Sequence, residues 1–268
     1  MQKLYIGTSG YSYADWRGVF YPPEIDKKDF LPFYAERFSF VELNFSYYRQ
    51  PNSNMISKII EKTPEGFLFS IKGNKSITHE RTRDWKKEAD EFAAGICPLR
   101  DEGRLAGVLL QFPYSFHRDK ENRLYLGEVC SHLADFPLFL EFRNSEWQLP
   151  EVYEELTRRN IGIVNTDSPE LHKLPEPSSL ATSERGYVRF HGRNRENWWS
   201  GDNVSRYDYL YDEEELREWV ERIEEVLAKV KVLFLAFNNH HKGQAVTNAF
   251  QLAALLGAGN VKGTDSAG

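Results

Sequence analysis

The chain has 268 residues, of which 41% are hydrophobic and 28% charged, a globular composition long enough for one α/β barrel or two ordinary domains. A formal net charge of -6 makes the molecule as a whole repel polyanions, so a nucleic acid would have to find a local basic patch. Two cysteines, Cys97 and Cys130, are too few for a disulfide framework and are expected to be reduced, and no run approaches the ~18 apolar residues of a membrane span. The opening MQKLYIGTSG enters a strand without an export signal, so a cytoplasmic protein with no membrane partner is expected.

In chain order, short apolar runs alternate with longer amphipathic ones. Residues 4–8 (LYIGT) lead through SGYSYADWRGVFYPP to a helical pattern over 31–38, and 40–44 (FVELN) lead to one over 54–62. Residues 67–72 (FLFSIK) precede a helix at 85–94, and 106–112 (AGVLLQF) precede one at 120–134. The second half continues with 138–143 (LFLEFR), a helix at 151–160, and 161–165 (IGIVN). Three prolines in 168–183 argue against a long helix there. Then come 187–191 (YVRFH), a helix at 212–230, 232–238 (VLFLAFN) and a last helix at 245–256.

About eight strands with a helix in nearly every gap is the count of a (β/α)8 barrel, an α/β fold. A doubly wound sheet would place G-x-G-x-x-G after its first strand, where this chain reads GTSGYSY. Only the stretch GAGNVKGTDSAG has linker composition, which predicts a single domain over 1–256 and a flexible tail over 257–268.

Barrel sites lie at the C-terminal ends of the strands, and polar residues gather there on every run. In YVRFHGRN, Val188 and Phe190 point one way while Arg189 and His191 point the other. Alternation assigns to the mouth Thr8, Glu42, Asn44, Ser70, Lys72, Gln111, Glu141, Arg143, Asn165, Asp167, Arg189 and His191, then Asn238 or Asn239 with His240. Repeated burial of unpaired charge is too costly for packing alone, so together these residues read as a polar pocket. Cations at least equal carboxylates, which disfavours a multi-metal centre but leaves one divalent ion on Glu42, Glu141, Asp167 and His191 as an alternative; no motif requires a cofactor. Arg and Lys beside carboxylates suit a small anionic ligand, with Glu or Asp as general acid and base.

Three loops add to the rim. GRNRENWWSGDNVSRYDYLY interleaves Arg193, Arg195 and Arg206 with Trp198, Trp199, Tyr207, Tyr209 and Tyr211, a mixture able to hold phosphates and stack on rings. Tyr11, Tyr13, Trp16, Phe20 and Tyr21 in the first loop are expected to wall a sugar or base, and KGNKSITHERTRDWKK carries Lys72 and His79. Gly243, ahead of the last helix, marks a helix N-terminus where phosphate often sits in barrels.

The pieces IGTSGYSYADWRGVFYP, FVELNFSYYRQP, FLFSIKGNKSITH, GVLLQFPYSF, LEFRNSEW, YVRFHGR and FNNHHKGQAVTNAFQL together resemble the YecE-like family, a domain of unknown function (72). The resemblance spans residues 4–252 and implies a TIM barrel of the kind used by sugar isomerases and apurinic endonucleases, without supplying a reaction. By motif it points to Thr8, Tyr11, Trp16, Glu42, Asn44, Tyr48, Arg49, Lys72, His79, Gln111, Glu141, Arg143, Trp147, Asp167, Arg189, His191, Asn238 and Asn239.

Three readings stay open at this level. The first is an enzyme, a hydrolase or isomerase, acting on a small phosphorylated or sugar-like anion, with Arg143, Arg189 and Lys72 as clamp and Glu42, Glu141 or Asp167 as acid and base. The second is a metal-dependent phosphodiesterase or nucleic-acid-processing barrel using the carboxylates and His191, and the third is a non-catalytic nucleic-acid binding module. In all three, Arg189→Ala is expected to remove binding and leave the fold intact.

Overall fold

The computed structural model describes residues 3–202 and 204–258. Among them are eight strands: β1 Lys3–Thr8, β2 Phe40–Leu43, β3 Leu68–Lys72, β4 Leu105–Phe112, β5 Leu138–Phe142, β6 Gly162–Asp167, β7 Arg185–Phe190 and β8 Val232–Phe237. They form one parallel sheet in which β2 to β8 pair in sequence order and β1 pairs with β8. The expected (β/α)8 barrel is therefore the fold. Residues 259–268, most of the expected tail, lie outside the described residues.

The β1–β2 seam closes the barrel differently from the other seven contacts. There is no ladder, only a bridge between Ser9 and Glu42 and a 2.8 Å hydrogen bond from the Gly10 N–H to the Glu42 carbonyl. A Cβ on Gly7 would sit 2.2 Å from the Phe40 carbonyl oxygen, so the strands approach only because that residue lacks a side chain. Tyr34 staples the seam from outside, accepting the Thr8 N–H at 2.9 Å and donating to the Phe40 carbonyl at 3.1 Å.

The outer layer consists of α1 Phe30–Ala35, α2 Phe45–Tyr48, α3 Ser53–Ile60, α4 Trp85–Asp101, α5 Lys120–His132, α6 Pro150–Arg158, α7 Glu213–Leu227 and α8 Gln244–Leu255. Local chemistry sets many of their starts. Asn52 and Asp119 cap α3 and α5, Pro150 opens α6, and Asp212 with Glu215 forms a capping box on α7. Two features were not legible in the sequence pattern: the short α2, and the extension of α4 past Pro98. The α4 helix continues because Phe92, Ile96 and Leu99 keep one buried face, and that packing outweighs a missing N–H donor. Residues 168–184 carry no helix, as their prolines predict.

Apolar packing falls into two shells. The larger lies between sheet and helices, and the smaller fills the barrel with Phe40, Ala106, Leu109, Phe139, Val164, Tyr187, Phe234 and Ala236. Below this plug, Arg185 reaches across the barrel to donate to the Leu105 and Ala106 carbonyls at 3.2 and 2.8 Å, where the β3–β4 register shifts. Above it the interior becomes polar, and that layer carries the candidate site.

Two strands present the opposite face from that expected. Thr8 has the parity of Ile6, which packs in the outer shell, and its hydroxyl lies 3.0 Å from that of Tyr34 on α1. On β6, Val164 points inward, so Asn165 and Asp167 point out. Asn165 binds Leu180 and Ser178 of the helix-free segment, and Asp167 turns toward α7. In a barrel both faces of a strand are buried, so alternation of apolar residues does not reveal which face is inner.

Candidate functional site

The floor of the mouth is a buried charge network built on β7. Arg189 donates to Glu42 Oε1 at 2.7 Å and to Glu141 Oε2 at 2.5 Å, joining β7 to β2 and β5. The second oxygen of Glu42 accepts the Tyr187 hydroxyl at 2.6 Å, and that hydroxyl in turn lies 2.8 Å from Ser70. Arg143 Nε lies 2.5 Å from Glu141 Oε1 as an ion pair whose N–H is not aligned on the oxygen. All of these groups except Arg143 are almost wholly shielded from water.

His191 completes the floor. Its Nε2 lies 3.1 Å from Glu141 Oε1 while Nδ1 faces the Asn238 amide nitrogen at 3.1 Å, so Nδ1 accepts and Nε2 carries the proton. Burial, reinforced by Arg143, lowers its pKa to about 3, and the ring is neutral. Burial by itself would raise Glu141, but Arg143, Arg189 and His191 outweigh it and hold this carboxyl well below the usual range. Burial opposes the charge on Arg189 too, and Glu141 and Glu42 overcome it to raise that pKa.

Above the floor opens a cavity of about 650 Å³. Arg143 and Arg189 line it, whereas Glu42, Glu141 and His191, which they hold, do not. Lys72 enters from the end of β3 and donates to Gln111 Oε1 at 2.8 Å, with its Nζ 4.5 Å from the centre of the Tyr47 ring. Burial first, then the Arg189 guanidinium, lower its pKa to about 7. His79, edge-on to Tyr47, also lines the cavity; burial and the neighbouring Lys72 lower it to about 4. Asn44 and Asn238 add amides, and Arg206 comes from the loop after β7.

Of the expected residues, the structure thus assembles Glu42, Glu141, Arg143, Arg189, His191 and Asn238 in the floor, with Asn44, Lys72, His79 and Gln111 around the cavity. Others lie elsewhere. Trp16 is buried in the outer shell and donates to the His240 carbonyl at 2.7 Å, and Phe20 and Tyr21 join the same aromatic cluster. Tyr11 faces the groove beside α3, and of the first-loop rings only Tyr13 reaches the cavity, stacked on His240. Thr8 is at the seam, Asn239 bonds Tyr209 and Asn248 near α8, and Trp147 is stacked between Phe116 and Phe142. Gly243 lies under Val19 rather than at the cavity.

Asp167 has a different task from the one expected. It accepts the Tyr211 hydroxyl and the Trp219 indole N–H at 2.6 Å each and pairs with Arg193 at 2.7 Å, pinning the loop after β7 and helix α7 to the barrel wall. The set Glu42, Glu141, Asp167 and His191 is therefore not assembled around one point. Among the described residues no group of three or more His, Cys, Asp or Glu side chains is placed to hold a metal ion. Within the floor, Arg189 occupies the space between the two glutamates that a cation would take.

Tyr47 and Tyr114, just past the ends of β2 and β4, and Leu174, farther along the segment after β6, also line the cavity, together with Tyr48, Trp198, Trp199 and Tyr207. The signal for Tyr47 and Tyr114 was the cluster of rings in FSYYR and PYSF, whereas nothing in the sequence around Leu174 marks it. The two tryptophans and Tyr207 come from the loop already singled out for its mixture of rings and Arg, whereas Arg193 in that loop is committed to Asp167, Glu215 and Glu218.

No helix among the described residues is long and apolar enough to cross a membrane. The chain is 35% identical to UPF0759 protein YunF of Bacillus subtilis (strain 168), over 94% of each chain. It is similar to the crystal structure of a DUF72 family protein from Thermotoga maritima MSB8, with 38% identity and a TM-score of 0.86 over 95% of this chain and 99% of that one. A DUF72 family protein from Enterococcus faecalis V583 superimposes with a TM-score of 0.84 at 26% identity over 95% of each chain. Residues 5–267 match the family described as protein of unknown function DUF72, and the chain belongs to that family.

Proposed function

We propose that the barrel mouth binds a small anionic ligand carrying a ring, of the phosphorylated or sugar-like kind, and that the protein is an enzyme acting on it. One observation carries this reading: the carboxylates of the site are consumed in the floor, while Lys72 and Arg206 line the cavity with no carboxylate partner among the described residues. Two glutamates against Arg189, Arg143 and Lys72 leave an excess of positive charge in a partly water-excluded space, which an oxyanion offsets. Tyr47, Tyr114 and Trp198 around it supply flat surfaces for a ring. The metal-dependent alternative is less favoured, because Asp167 stands outside the barrel wall.

Sulfate is a suitable probe, since its charge is constant over the pH range of interest. It raises melting temperatures generally, so only a shift lost in Lys72→Met and Arg206→Gln counts. The expected site-specific shift is largest below pH 7 and fades as pH rises through about 7, where Lys72 loses its proton; in Lys72→Arg it persists to pH 9. Equal shifts in all variants, together with none from a panel of phosphosugars and nucleotides, would overturn the reading.

A further inference from the structure

We propose that Lys72 is a covalent nucleophile that captures an anionic aldehyde or ketone as an imine, an inference that rests on the anion-binding reading above. Lys72 sits where few lysines do. Its ammonium group has no carboxylate partner among the described residues, in contrast to Lys75 and Lys231, paired with Glu80 and Glu184 at 2.7 and 2.5 Å. The glutamates beneath it, Glu42 and Glu141, are held by Arg189 instead.

What touches the amine is neutral. Gln111 Oε1 accepts from it at 2.8 Å, and the Tyr47 ring lies 4.5 Å away. A free amine donates one N–H to Gln111 and keeps its lone pair for the cavity. Confinement beside guanidinium groups favours that free amine around neutrality, which is the form that attacks carbonyls. Arg143 and Arg206 line the same cavity and supply the grip for the anionic end of the substrate.

The step balances without a redox partner. The Nζ lone pair forms a C–N bond to the carbonyl carbon while the C=O π pair moves to oxygen, which takes a proton to give a carbinolamine. Nitrogen gives up one proton as the carbinolamine forms; the hydroxyl then takes a second proton, the C–O bond breaks as the nitrogen lone pair forms C=N, oxygen leaves as water, and nitrogen gives up its other proton to leave the imine. Amine plus carbonyl becomes imine plus water, with protons exchanged through the open mouth.

The test uses the whole protein with pyridoxal 5′-phosphate, an anionic ring-bearing aldehyde, and with unphosphorylated pyridoxal. Borohydride reduction and peptide mapping then read the adducts. Expected at pH 7.5 is labelling of Lys72 at least about tenfold faster than any other lysine, since a far larger fraction of this amine is unprotonated. The phosphorylated aldehyde should be preferred, sulfate should slow the reaction, and Lys72→Arg should carry no preferred adduct.

Label spread over surface lysines, with pyridoxal phosphate still raising the melting temperature of wild type and Lys72→Arg, would overturn the imine and leave the anion site standing. No preferred label and no thermal shift would overturn both. Preferred labelling of Lys72 by both aldehydes alike would overturn the anionic substrate class.

Discussion

Both terminal nitrogens of Arg189 are committed to carboxylates that water does not reach, which makes this residue part of the architecture as well as of the cavity wall. The sequence alone suggested that Arg189→Ala would remove binding and leave the fold intact. The buried pairs argue for a loss of stability instead. Truncation strands two buried carboxylates, and breaking one partner of a buried pair costs about 3–5 kcal/mol. Urea titration of Arg189→Ala should show that loss, and a stability within 1 kcal/mol of wild type would mean that water or a neighbour takes over the role. His191 is similarly held at both nitrogens, by Glu141 and Asn238.

At the level of elements, strand number, order and approximate ends were legible from the apolar runs, because each run has to be long enough to span the barrel and each gap long enough for a crossover helix. The facing of each side chain was legible only on some strands. On β7 the alternation of Val188 and Phe190 with Arg189 and His191 was unambiguous, and the inward set is as expected. On β1 and β6 polarity suggested the mouth, but Tyr34, Tyr211 and Trp219 offer polar partners on the outer side, and no local pattern announces partners that arrive from distant helices. The β1–β2 seam was equally hidden, because its closeness depends on what Gly7 lacks. Gly7→Ala should destabilise by about 1–3 kcal/mol or more, because the methyl group would meet backbone rather than a movable side chain. A melting temperature unchanged from wild type would show that the seam can open without loss.

For the molecule as a whole, the neutral buried His191 sets a direction for acid sensitivity. Its pKa is about 3 in the fold and 6.5 in an unperturbed chain, so between those values the unfolded state binds the extra proton. The stability it contributes is complete above pH 6.5 and is lost as pH falls toward 3, with a slope of about 1.4 kcal/mol per pH unit for one proton. Glu141 acts in the same sense lower down: its contribution is present above pH 4.5 and lost as pH falls through its depressed value. Unfolding free energies from pH 7 to pH 4 should therefore decline less steeply in His191→Asn than in wild type, and parallel curves would contradict the neutral assignment.

The Arg189 network in the floor also bears on the order of folding events. Arg189 meets Glu141 and Glu42 across 48 and 147 residues of chain, so closing these pairs carries a large loop entropy. Contacts closed over such spans are expected to form after the transition state, in which case weakening them leaves the refolding rate nearly intact and shortens the lifetime of the native barrel, which stopped-flow refolding and unfolding of Arg189→Lys would read. The floor that shapes the pocket would then be the latch on the closed state, set after the path to it has been travelled.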